Sequence, residues 1–399
     1  MTRKLLTPRS DRYAIRFAGT ARAVSIFSAV CFLCFGGASA QEYRSVHDGV
    51  EHAEMTHMIA NEPVKLNLLR LDLAKVRLDV KLGMDMIVGT ETTSSIAARH
   101  GAVAAINSGF FRLDSSIFAG DPAGLLMTDG ALLSESVNGR AVIMINNRPN
   151  ITEVDLDRAD VSHALMVRGR EIAVGTNREL KADDAVLFTQ EFGRSTLSTA
   201  GSVEFLIQNG RVRRIFSRGS NSIPQTGYII SASGSRLADL RALLTVGTRV
   251  TITVKHSSPV SPVPTTAFGR AEDITNGVSF LVRGGQSELT WEAERSVRSF
   301  AENRHPRTAV AKMRDGKFLM ITADGRQPNV SVGMTLQELA DFLVSLGAID
   351  AINLDGGGST AMLLDGKLVN KPSDPNGERK VGDAIIVTLR KPAAAVTRN

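Results

Sequence analysis

Apolar and polar positions alternate along most of the chain after residue 41. Residues 64–68 (VKLNL) and 76–82 (VRLDVKL) alternate with a period of two. Successive side chains of a strand point to opposite faces, so this pattern predicts half-buried β-strands. Ten Asx-Gly dipeptides interrupt the chain, beginning at Asp48, Asp129, Asn138, Asn209, Asn276, Asp315, Asp324, Asp355, Asp365 and Asn376. Because Asx-Gly readily adopts the positive φ angles of two-residue hairpins, many of these dipeptides are predicted to be turns between strands.

Helical periodicity is confined to three short segments, residues 92–100, 236–244 and 335–346. The last is the strongest, because five apolar residues share one face and Gly347 supplies a stop signal. No repeat of fixed period is present, so a solenoid or propeller is not supported. The predicted fold class is therefore α+β: mostly antiparallel β-sheets with a few packed helices, the 335–346 helix lying across a sheet.

The first forty residues have the organisation of an export signal. Basic residues precede an apolar run over residues 23–35, and Ala38-Ser39-Ala40 follows. This arrangement predicts cleavage before Gln41 and an exported protein, periplasmic or extracellular, with no membrane association after signal removal. The apolar run is shorter than the ~20 residues a spanning helix needs. An uncleaved membrane anchor is the alternative.

Charge and cysteine content narrow the classes of function. The formal charge is +6, but the first forty residues hold six Lys and Arg against one acid, leaving 41 basic and 40 acidic residues in the remainder. Net charge thus provides no reason to expect a nucleic-acid partner. Both cysteines, Cys31 and Cys34, lie in the predicted signal. The mature chain is therefore predicted to lack a cysteine nucleophile, a thiolate metal site and disulfides.

The strongest candidate site is the segment 351–362 (AINLDGGGSTAM). An apolar strand leads into Asp355, and the next five residues are Gly356, Gly357, Gly358, Ser359 and Thr360. Consecutive glycines permit close backbone approach, and their N–H groups can form a concave nest for phosphate or carboxylate. A Gly-rich hairpin turn with a surface aspartate is the alternative.

Two other known Gly-rich motifs, the nucleotide P-loop and the nucleophile elbow, do not fit this segment. A nucleotide P-loop requires a lysine that the segment lacks. A nucleophile elbow at Ser359 requires a helix directly after the serine, whereas residues 362–369 (MLLDGKLV) are typical of a hairpin. A serine nucleophile is therefore the weaker interpretation of Ser359.

Charged residues also stand beside two other apolar strands. His305 and Arg307 precede one strand, while Asp324 and Arg326 follow another. The planar fork of arginine suits phosphate, and Asp324 offers a second carboxylate. The alternative is a plain hairpin turn with solvated arginines. The seven histidines lack metal-ligand spacing, and only His305 is retained as a site candidate.

A third cluster, residues 104–111 (AAINSGFF), ends a buried strand in an asparagine and a glycine. Asn107 could hydrogen-bond a ligand hydroxyl or cap the turn, and Gly109 allows close backbone approach. The two phenylalanines are more typical of a core than of a sugar platform.

Together these motifs resemble the phosphodiester glycosidase family. The matching segments are INSGFF (106–111), HPRTAV (305–310), TADGR (322–326), INLDGGGSTAM (352–362) and KPSD (371–374) with Arg379. The resemblance covers residues 103–387. This chain differs in having Ser108 where the family usually has glycine, no proline in the Gly-rich segment 283–287, and Ala311 in place of a common glycine. Segment 283–287 is expected to help shape the sugar pocket.

The resemblance implies an exported hydrolase that cleaves the glycosidic bond of a sugar-1-phosphodiester to free sugar and a phosphomonoester. Its substrate would be a small-molecule or glycan phosphodiester. Asp324 and Asp355 would serve as acid, base or nucleophile. Asn107 and Gly109 would contact the sugar, while Arg307, Arg326 and residues 356–360 would bind phosphate. No cofactor is certain; Asp355 beside a phosphate leaves a divalent cation open.

Two other functions remain open: a serine-type ester hydrolase using Ser359, and a non-catalytic envelope glycan-binding protein. The predicted organisation is a signal peptide at 1–40, an N-terminal β-rich region of unknown role at 41–100, a phosphodiester glycosidase-like domain at 101–390 and a disordered tail at 391–399. The sequence does not predict the oligomeric state.

Overall fold

The computed structural model describes residues 42–258 and 267–391, which belong to one compact unit. The predicted signal peptide with Cys31 and Cys34, residues 259–266 of a Pro/Ser-rich segment (257–266, SSPVSPVPTT) and residues 392–399 of the predicted tail lie outside the described residues. No helix within the described residues is long and apolar enough to cross a membrane.

Strands make up most of the regular structure. The first fourteen are β1 Arg44–His47, β2 Val50–Ile59, β3 Glu62–Leu71, β4 Val76–Leu82, β5 Glu91–Thr92, β6 Ala104–Asn107, β7 Leu126–Thr128, β8 Ala131–Ser134, β9 Ala141–Asn147, β10 Thr152–Arg158, β11 Asp160–Val167, β12 Arg170–Thr176, β13 Ala185–Phe188 and β14 Val203–Gln208. The others are β15 Arg211–Phe216, β16 Tyr228–Ala232, β17 Thr251–Ser257, β18 Asp273–Asn276, β19 Phe280–Arg283, β20 Gln286–Ser287, β21 Arg307–Met313, β22 Phe318–Ala323, β23 Ala348–Asn353, β24 Met362–Leu364, β25 Lys367–Leu368, β26 Lys380–Val381 and β27 Asp383–Leu389.

The strands form four larger sheets and one short pair. Their orders are β1-β2-β3-β22-β21-β23-β19-β20, β15-β14-β16-β13-β12-β11-β17, β10-β9-β18-β7-β8, β25-β24-β6-β27-β4 and β26-β5. Among the described strands, every pairing is antiparallel except β12 with β13. The predicted antiparallel architecture is confirmed, and the fold is mostly β. Strands of residues 41–100 share sheets with later strands, since β3 pairs with β22 and β4 with β27.

The predicted helices are all present within a residue or two. They are α1 Thr93–Arg99, α2 Gly234–Leu243 and α4 Leu336–Ser345, and a further short helix, α3, spans Arg298–Glu302. Thr335 caps α4 by accepting from the Glu338 amide, and the Glu338 side chain accepts from the Thr335 amide. This capping box satisfies two amides that a helix start leaves unpaired. The apolar face of α4 packs on β19 and β23, as its spacing predicted.

Five of the ten Asx-Gly dipeptides form the hairpin turns that the sequence predicts. They begin at Asp48, Asp129, Asn209, Asp315 and Asp365, each between two paired strands. Three others, at Asn276, Asp324 and Asp355, follow strands that pair with distant segments instead. The same dipeptide therefore marks strand ends near the candidate site as well as turns.

Antiparallel pairing brings three of the predicted clusters to one sheet edge. The start of β21 lies beside the end of β22, with Arg307 opposite Ala323. The end of β23 lies on the other side of β21, with Asn353 opposite Ala309. Because antiparallel neighbours reverse direction, a strand start and two strand ends meet at the same edge. Residues 305–307, 324–326 and 354–358 are thereby collected.

Candidate active site

A cleft of about 350 Å³ opens at this sheet edge. Its lining consists of Phe110, Val297, Ser299, Phe300, His305, Arg307, Arg326, Asp355, Gly356, Gly357, Gly358 and Arg379. The charged members are three arginines and a single carboxylate. A cleft with this excess of guanidinium groups attracts an anionic ligand.

Hydrogen bonds between the backbone of Asp355 and neighbouring residues hold it in the cleft. Its amide donates to the Ser108 carbonyl at 2.9 Å, and its carbonyl accepts from the Asn107 side chain at 2.6 Å. The carboxylate accepts from the Gly356 amide at 2.9 Å. Burial raises the pKa of Asp355 to about 6, although the Ser359 hydroxyl, the Gly356 amide and Arg379 oppose the rise. A carboxyl group with this pKa changes charge near neutral pH, as a general base or nucleophile must.

Asn107 and Gly109 lie behind the cleft rather than in its lining. Asn107 is fully buried, and its side-chain oxygen accepts from the Thr308 hydroxyl at 2.8 Å and the Ala361 amide at 3.1 Å. The amide of Gly109 donates to Asp383 at 2.7 Å. The structure thus gives no support to direct sugar contact by Asn107, whose side-chain oxygen and nitrogen both bond within the protein. Asn107 instead ties the Asp355 backbone to its neighbours.

The glycine loop differs from the expected anion nest. Four of its five amides already have internal acceptors: Gly356 donates to the Asp355 carboxylate, Gly357 to the Pro306 carbonyl, Ser359 to the Gly356 carbonyl and Thr360 to the Gly357 carbonyl. Only the amide of Gly358 has no acceptor among the described residues. Four of the five amides are therefore not free to hold a phosphate in this conformation, because each already donates within the protein. Gly356, Gly357 and Gly358 line the cleft as a surface.

Ser359 and Thr360 are each 1% exposed and lie outside the cleft lining. Ser359 ends a one-turn 3₁₀ helix, Gly357–Ser359, and strand β24 follows it, as the hairpin prediction requires. No histidine among the described residues hydrogen-bonds its hydroxyl. This placement disfavours both residues as direct phosphate ligands and Ser359 as a nucleophile.

Arg307 is the most unusual charged group in the cleft. It is 1% exposed, yet all its partners in the described chain are neutral. Nε donates to the Met334 carbonyl at 2.8 Å, and Nη2 donates to the carbonyls of Phe300 and Asn303 at 2.6 and 3.1 Å. Burial, with a smaller contribution from Arg326, lowers its pKa to about 9. A buried cation without a carboxylate partner is costly, and an anion in the cleft would offset that cost.

The other two cleft arginines are more accessible. Arg326 is exposed, and Nη2 lies 3.3 Å from Nδ1 of His305. His305 thereby lines the cleft beside two arginines, and burial, followed by the charges of Arg307 and Arg326, lowers its pKa. Arg379 forms a two-point ion pair with Asp374 at 2.7 and 3.0 Å, so that pair contributes little net charge.

Asp324 is not brought into the cleft. Its side chain is 5% exposed, and its two oxygens accept from the Asn370 side chain and the Lys371 amide, both at 3.0 Å. Burial raises its pKa, while those two hydrogen bonds lower it. Asn370 in turn bonds the Met362 amide and the Thr360 carbonyl, just beyond the glycine loop. Asp324 therefore supports the loop from behind.

Two features of the site were missed by reasoning from the sequence. Asp383 is 4% exposed and accepts from the Gly109 amide at 2.7 Å and the Thr275 hydroxyl at 2.6 Å. Burial raises its pKa to about 6. Its only sequence signal is an aspartate directly before the apolar strand β27. Phe300 packs edge-on against Phe110 in the cleft lining, with ring centroids 5.8 Å apart, and no local sequence signal indicates its position.

The structure offers no ready-made metal centre. Across residues 42–258 and 267–391, no group of three or more His, Cys, Asp and Glu side chains is placed to hold a metal ion. A divalent cation at Asp355 would have to rely on that carboxylate and on ligand oxygens. Segment 283–287 forms the β19–β20 hairpin and lies outside the cleft lining, so it does not shape the pocket as expected.

Comparison with known proteins bears out the family resemblance over part of the chain. Residues 201–388 match the sequence model of the phosphodiester glycosidase family. This match includes the cleft residues from 297 to 379 and leaves out Asn107 to Phe110.

Among individual proteins, the mouse N-acetylglucosamine-1-phosphodiester alpha-N-acetylglucosaminidase is 30% identical over 181 residues, covering 42% of this chain and 33% of its own length. The chain thus spans about a third of that relative. A hypothetical protein from Synechocystis has the same fold, with a TM-score of 0.76 and 22% identity over 89% of this chain and 65% of that one. A candidate exported protein of Burkholderia pseudomallei has a TM-score of 0.71 and 26% identity over 82% of this chain and 74% of its own.

Proposed function

We propose that this protein is a hydrolase that cleaves the glycosidic C–O bond of a sugar-1-phosphodiester. The observation that carries the proposal is the pairing, in one cleft, of a carboxyl group whose pKa is raised to about 6 with a buried arginine that has no carboxylate partner in the described chain. The family match and the name of the mouse relative support the substrate class.

The phosphate is assigned to the arginine side of the cleft. Nη1 of Arg307 has no hydrogen-bond partner among the described residues, whereas Nε and Nη2 are held rigidly by three carbonyls. This fixing of the guanidinium makes Arg307 the group around which the phosphate is positioned. Arg326 approaches the same space from the solvent side. The proposed anion site thus consists of arginine side chains and not of the backbone amides of the glycine loop.

The sugar is assigned to the space between Asp355 and the two phenylalanines, next to the phosphate site, since the Arg307 guanidinium lies 5.0 Å from the Phe300 ring centroid. Apolar aromatic faces pack against the C–H faces of a sugar ring, and Phe110 and Phe300 are both in the lining. In the reaction, water adds to the anomeric carbon, the bond from that carbon to the phosphate oxygen breaks, and its electron pair stays with the departing phosphomonoester.

Asp355 then either takes the proton from the attacking water or attacks first to form a glycosyl ester that water hydrolyses. A phosphate is already a good leaving group, so one carboxyl group in the cleft is sufficient. Asp324 becomes a positioning residue, because its carboxylate holds Asn370 and Lys371. The buried hydroxyl of Ser359 gives no support to a serine hydrolase.

Product analysis in ¹⁸O-labelled water tests this function. A sugar-1-phosphodiester such as methyl N-acetylglucosamine-1-phosphate should give labelled free sugar and unlabelled methyl phosphate. Label in the phosphorus-containing product would instead mean P–O cleavage and a phosphodiesterase. Binding without turnover across a panel of sugars would favour the glycan-binding alternative.

We further propose that the protein is exported and starts at Gln41 after processing. The support is the tripartite segment ending in Ala38-Ser39-Ala40, together with the structural similarity to a candidate exported protein. N-terminal sequencing of the protein secreted by an expressing bacterium should begin with Gln41. Recovery of the intact N-terminus in the membrane fraction would contradict processing.

A further inference from the structure

Positive charge is concentrated in one part of the chain outside the cleft. Residues 205–250 contain seven arginines and no lysine, against a single acid, Asp239. This local excess is as large as the formal charge of the whole chain, +6. The nearly neutral average of residues 41–399 therefore conceals a strongly basic region.

Five of these arginines lie on or next to one sheet edge, and all five are exposed. We call them the edge arginines: Arg211, Arg213, Arg214, Arg218 and Arg249. The first three belong to β15, the outermost strand of the seven-stranded sheet. Arg249 forms an isolated bridge with Arg211, and an irregularity in the β14–β15 register occurs at Arg213.

The edge arginines have no acidic partner among the described residues. Arg211 donates to the Gly247 carbonyl at 2.9 Å and Arg213 to the Gln208 carbonyl at 3.4 Å. Arg214 lies over the ring of Phe216, 4.8 Å from its centroid. Some arginines elsewhere on the surface, such as Arg99 and Arg112, pair with carboxylates, whereas the edge arginines are distinguished by lying close together along one sheet edge without one in the described part of the chain. Like charges gathered without counter-charges repel one another, and a polyanion removes that repulsion.

We propose that the edge arginines form a docking surface for a soluble glycan polymer whose phosphodiester groups repeat along its length. Arg211, Arg213 and Arg214 are spread along β15, at about 3.3 Å of strand per residue, so they present charges to successive anionic groups rather than to one ion. Guanidinium groups recognise phosphate oxygens through paired N–H donors. The surface lies outside the cleft and requires no turnover, so its test is independent of the proposed reaction.

Other polyanionic partners fit this surface less well. Single-stranded nucleic acid binds through aromatic side chains on which bases stack, and the only aromatic on β15, Phe216, is covered by Arg214. A lipid surface is bound by a continuous apolar face flanked by basic residues. Here the exposed aliphatic side chains near β15 are the single residues Ile215 and Val246.

The test uses poly(glycerol phosphate), a phosphodiester polymer that has no glycosidic bond and so cannot be cleaved by the proposed reaction. The edge variant combines Arg213→Gln, Arg214→Gln and Arg218→Gln. Its matched control combines Arg44→Gln, Arg295→Gln and Arg314→Gln, which remove the same charge from exposed arginines outside the seven-stranded sheet. Affinity is measured for the full mature chain over a range of salt concentrations, with melting temperature as the folding check.

The wild type and the control variant are expected to bind the polymer alike, and the edge variant at least tenfold more weakly. The dependence of log K on log salt should also become shallower by about two in the edge variant, at roughly 0.7 per lost phosphate contact. Equal loss in both variants, or no binding by the wild type, would overturn the proposal. Tighter binding to single-stranded DNA of equal phosphate count, or to phosphatidylglycerol vesicles, would overturn it in favour of those partners.

Discussion

Asp355 combines a fixed backbone with a carboxyl group that titrates near neutral pH. Asp355→Asn keeps the shape and the hydrogen bond from Gly356 but removes charge and proton transfer. Turnover of a sugar-1-phosphodiester should fall ~10²–10⁴-fold, with circular dichroism unchanged. Ser359→Ala should cost less, because that buried hydroxyl only supports the ionised form of Asp355. An inactive Ser359→Ala variant beside an active Asp355→Asn variant would contradict the proposed mechanism.

The raised pKa of Asp355 also sets an expected pH profile. The reaction requires the ionised carboxylate, whose fraction falls about tenfold for each pH unit below a pKa of about 6. The rate constant kcat/KM should therefore rise with pH and level off above roughly 6 to 7. A profile that is flat between pH 4 and 7 would show that Asp355 does not ionise in the rate-determining step.

Arg307 and Arg326 differ in how they are held in the cleft, so their variants should differ as well. Arg307→Ala leaves the carbonyls of Phe300, Asn303 and Met334 without their buried donor. This variant should lose thermal stability together with phosphate competition, since each buried unsatisfied group costs about 1–3 kcal/mol. Arg326→Gln removes an exposed group and should weaken inhibition by inorganic phosphate about tenfold with an unchanged melting temperature. Identical behaviour of the two variants would contradict their assigned roles.

At the scale of elements, the glycine loop (residues 356–360) is explained better by close packing than by amides that donate to an anion. A Cβ on Gly358 would overlap Arg379 and Asp374, and a Cβ on Gly356 would lie 2.7 Å from the Pro306 carbonyl. The loop is thus pressed against the ion pair on one side and against the start of β21 on the other. Glycine is required there by space, not by anion binding.

Gly358→Ala is therefore expected to displace the Arg379–Asp374 pair from the cleft wall. Activity should fall by at least tenfold, while the melting temperature changes by only a few degrees because the loop lies at the surface of the cleft. Gly201→Ala is the matched control, since nothing lies within 4 Å of its added Cβ and its φ is not positive. Full activity in the Gly358→Ala variant would show that the pair is dispensable.

At the scale of the whole molecule, buried carboxyl groups make the free energy of unfolding depend on pH. Burial raises the pKa of Asp383 from 3.8 to about 6. Between these values the folded chain holds a proton that the unfolded chain releases, so this group makes the protein less stable as pH rises from about 4 to 6. The full effect is about 3 kcal/mol, from roughly two pKa units at 1.36 kcal/mol each.

Asp383→Asn should remove that component, because an amide oxygen still accepts from Gly109 and an amide nitrogen can donate to the Thr275 oxygen. Denaturant unfolding at pH 4 and pH 7 measures the difference. The variant should gain stability relative to wild type at pH 7 and much less at pH 4. A difference that does not change with pH would mean that Asp383 is ionised throughout.

The order of apolar and polar residues along the chain determined where its strands and helices lie. Its motifs indicated which residues make up the candidate site. Alternation located β3 and β4, apolar spacing and Thr335 with Gly347 located α4, and the hairpin after Ser359 was foreseen from one Asp-Gly turn. These features depend on local side-chain direction and backbone preference, which neighbouring residues express. The motifs also indicated the family and brought Asp355, Arg307 and Arg326 to attention before any contact was known.

Only the tertiary structure decided which of those residues share the cleft and which lie behind it. Asp324 and Asp355 both follow an apolar strand and both precede glycine, yet one carboxylate supports a loop while the other faces the cleft. The amides of the glycine loop resembled free donors until their acceptors, Pro306 among them, were seen. Whether a polar group is available to a ligand depends on partners distant in sequence, such as Asn370, 46 residues from Asp324. Such pairings exist only once antiparallel strands have brought their ends together.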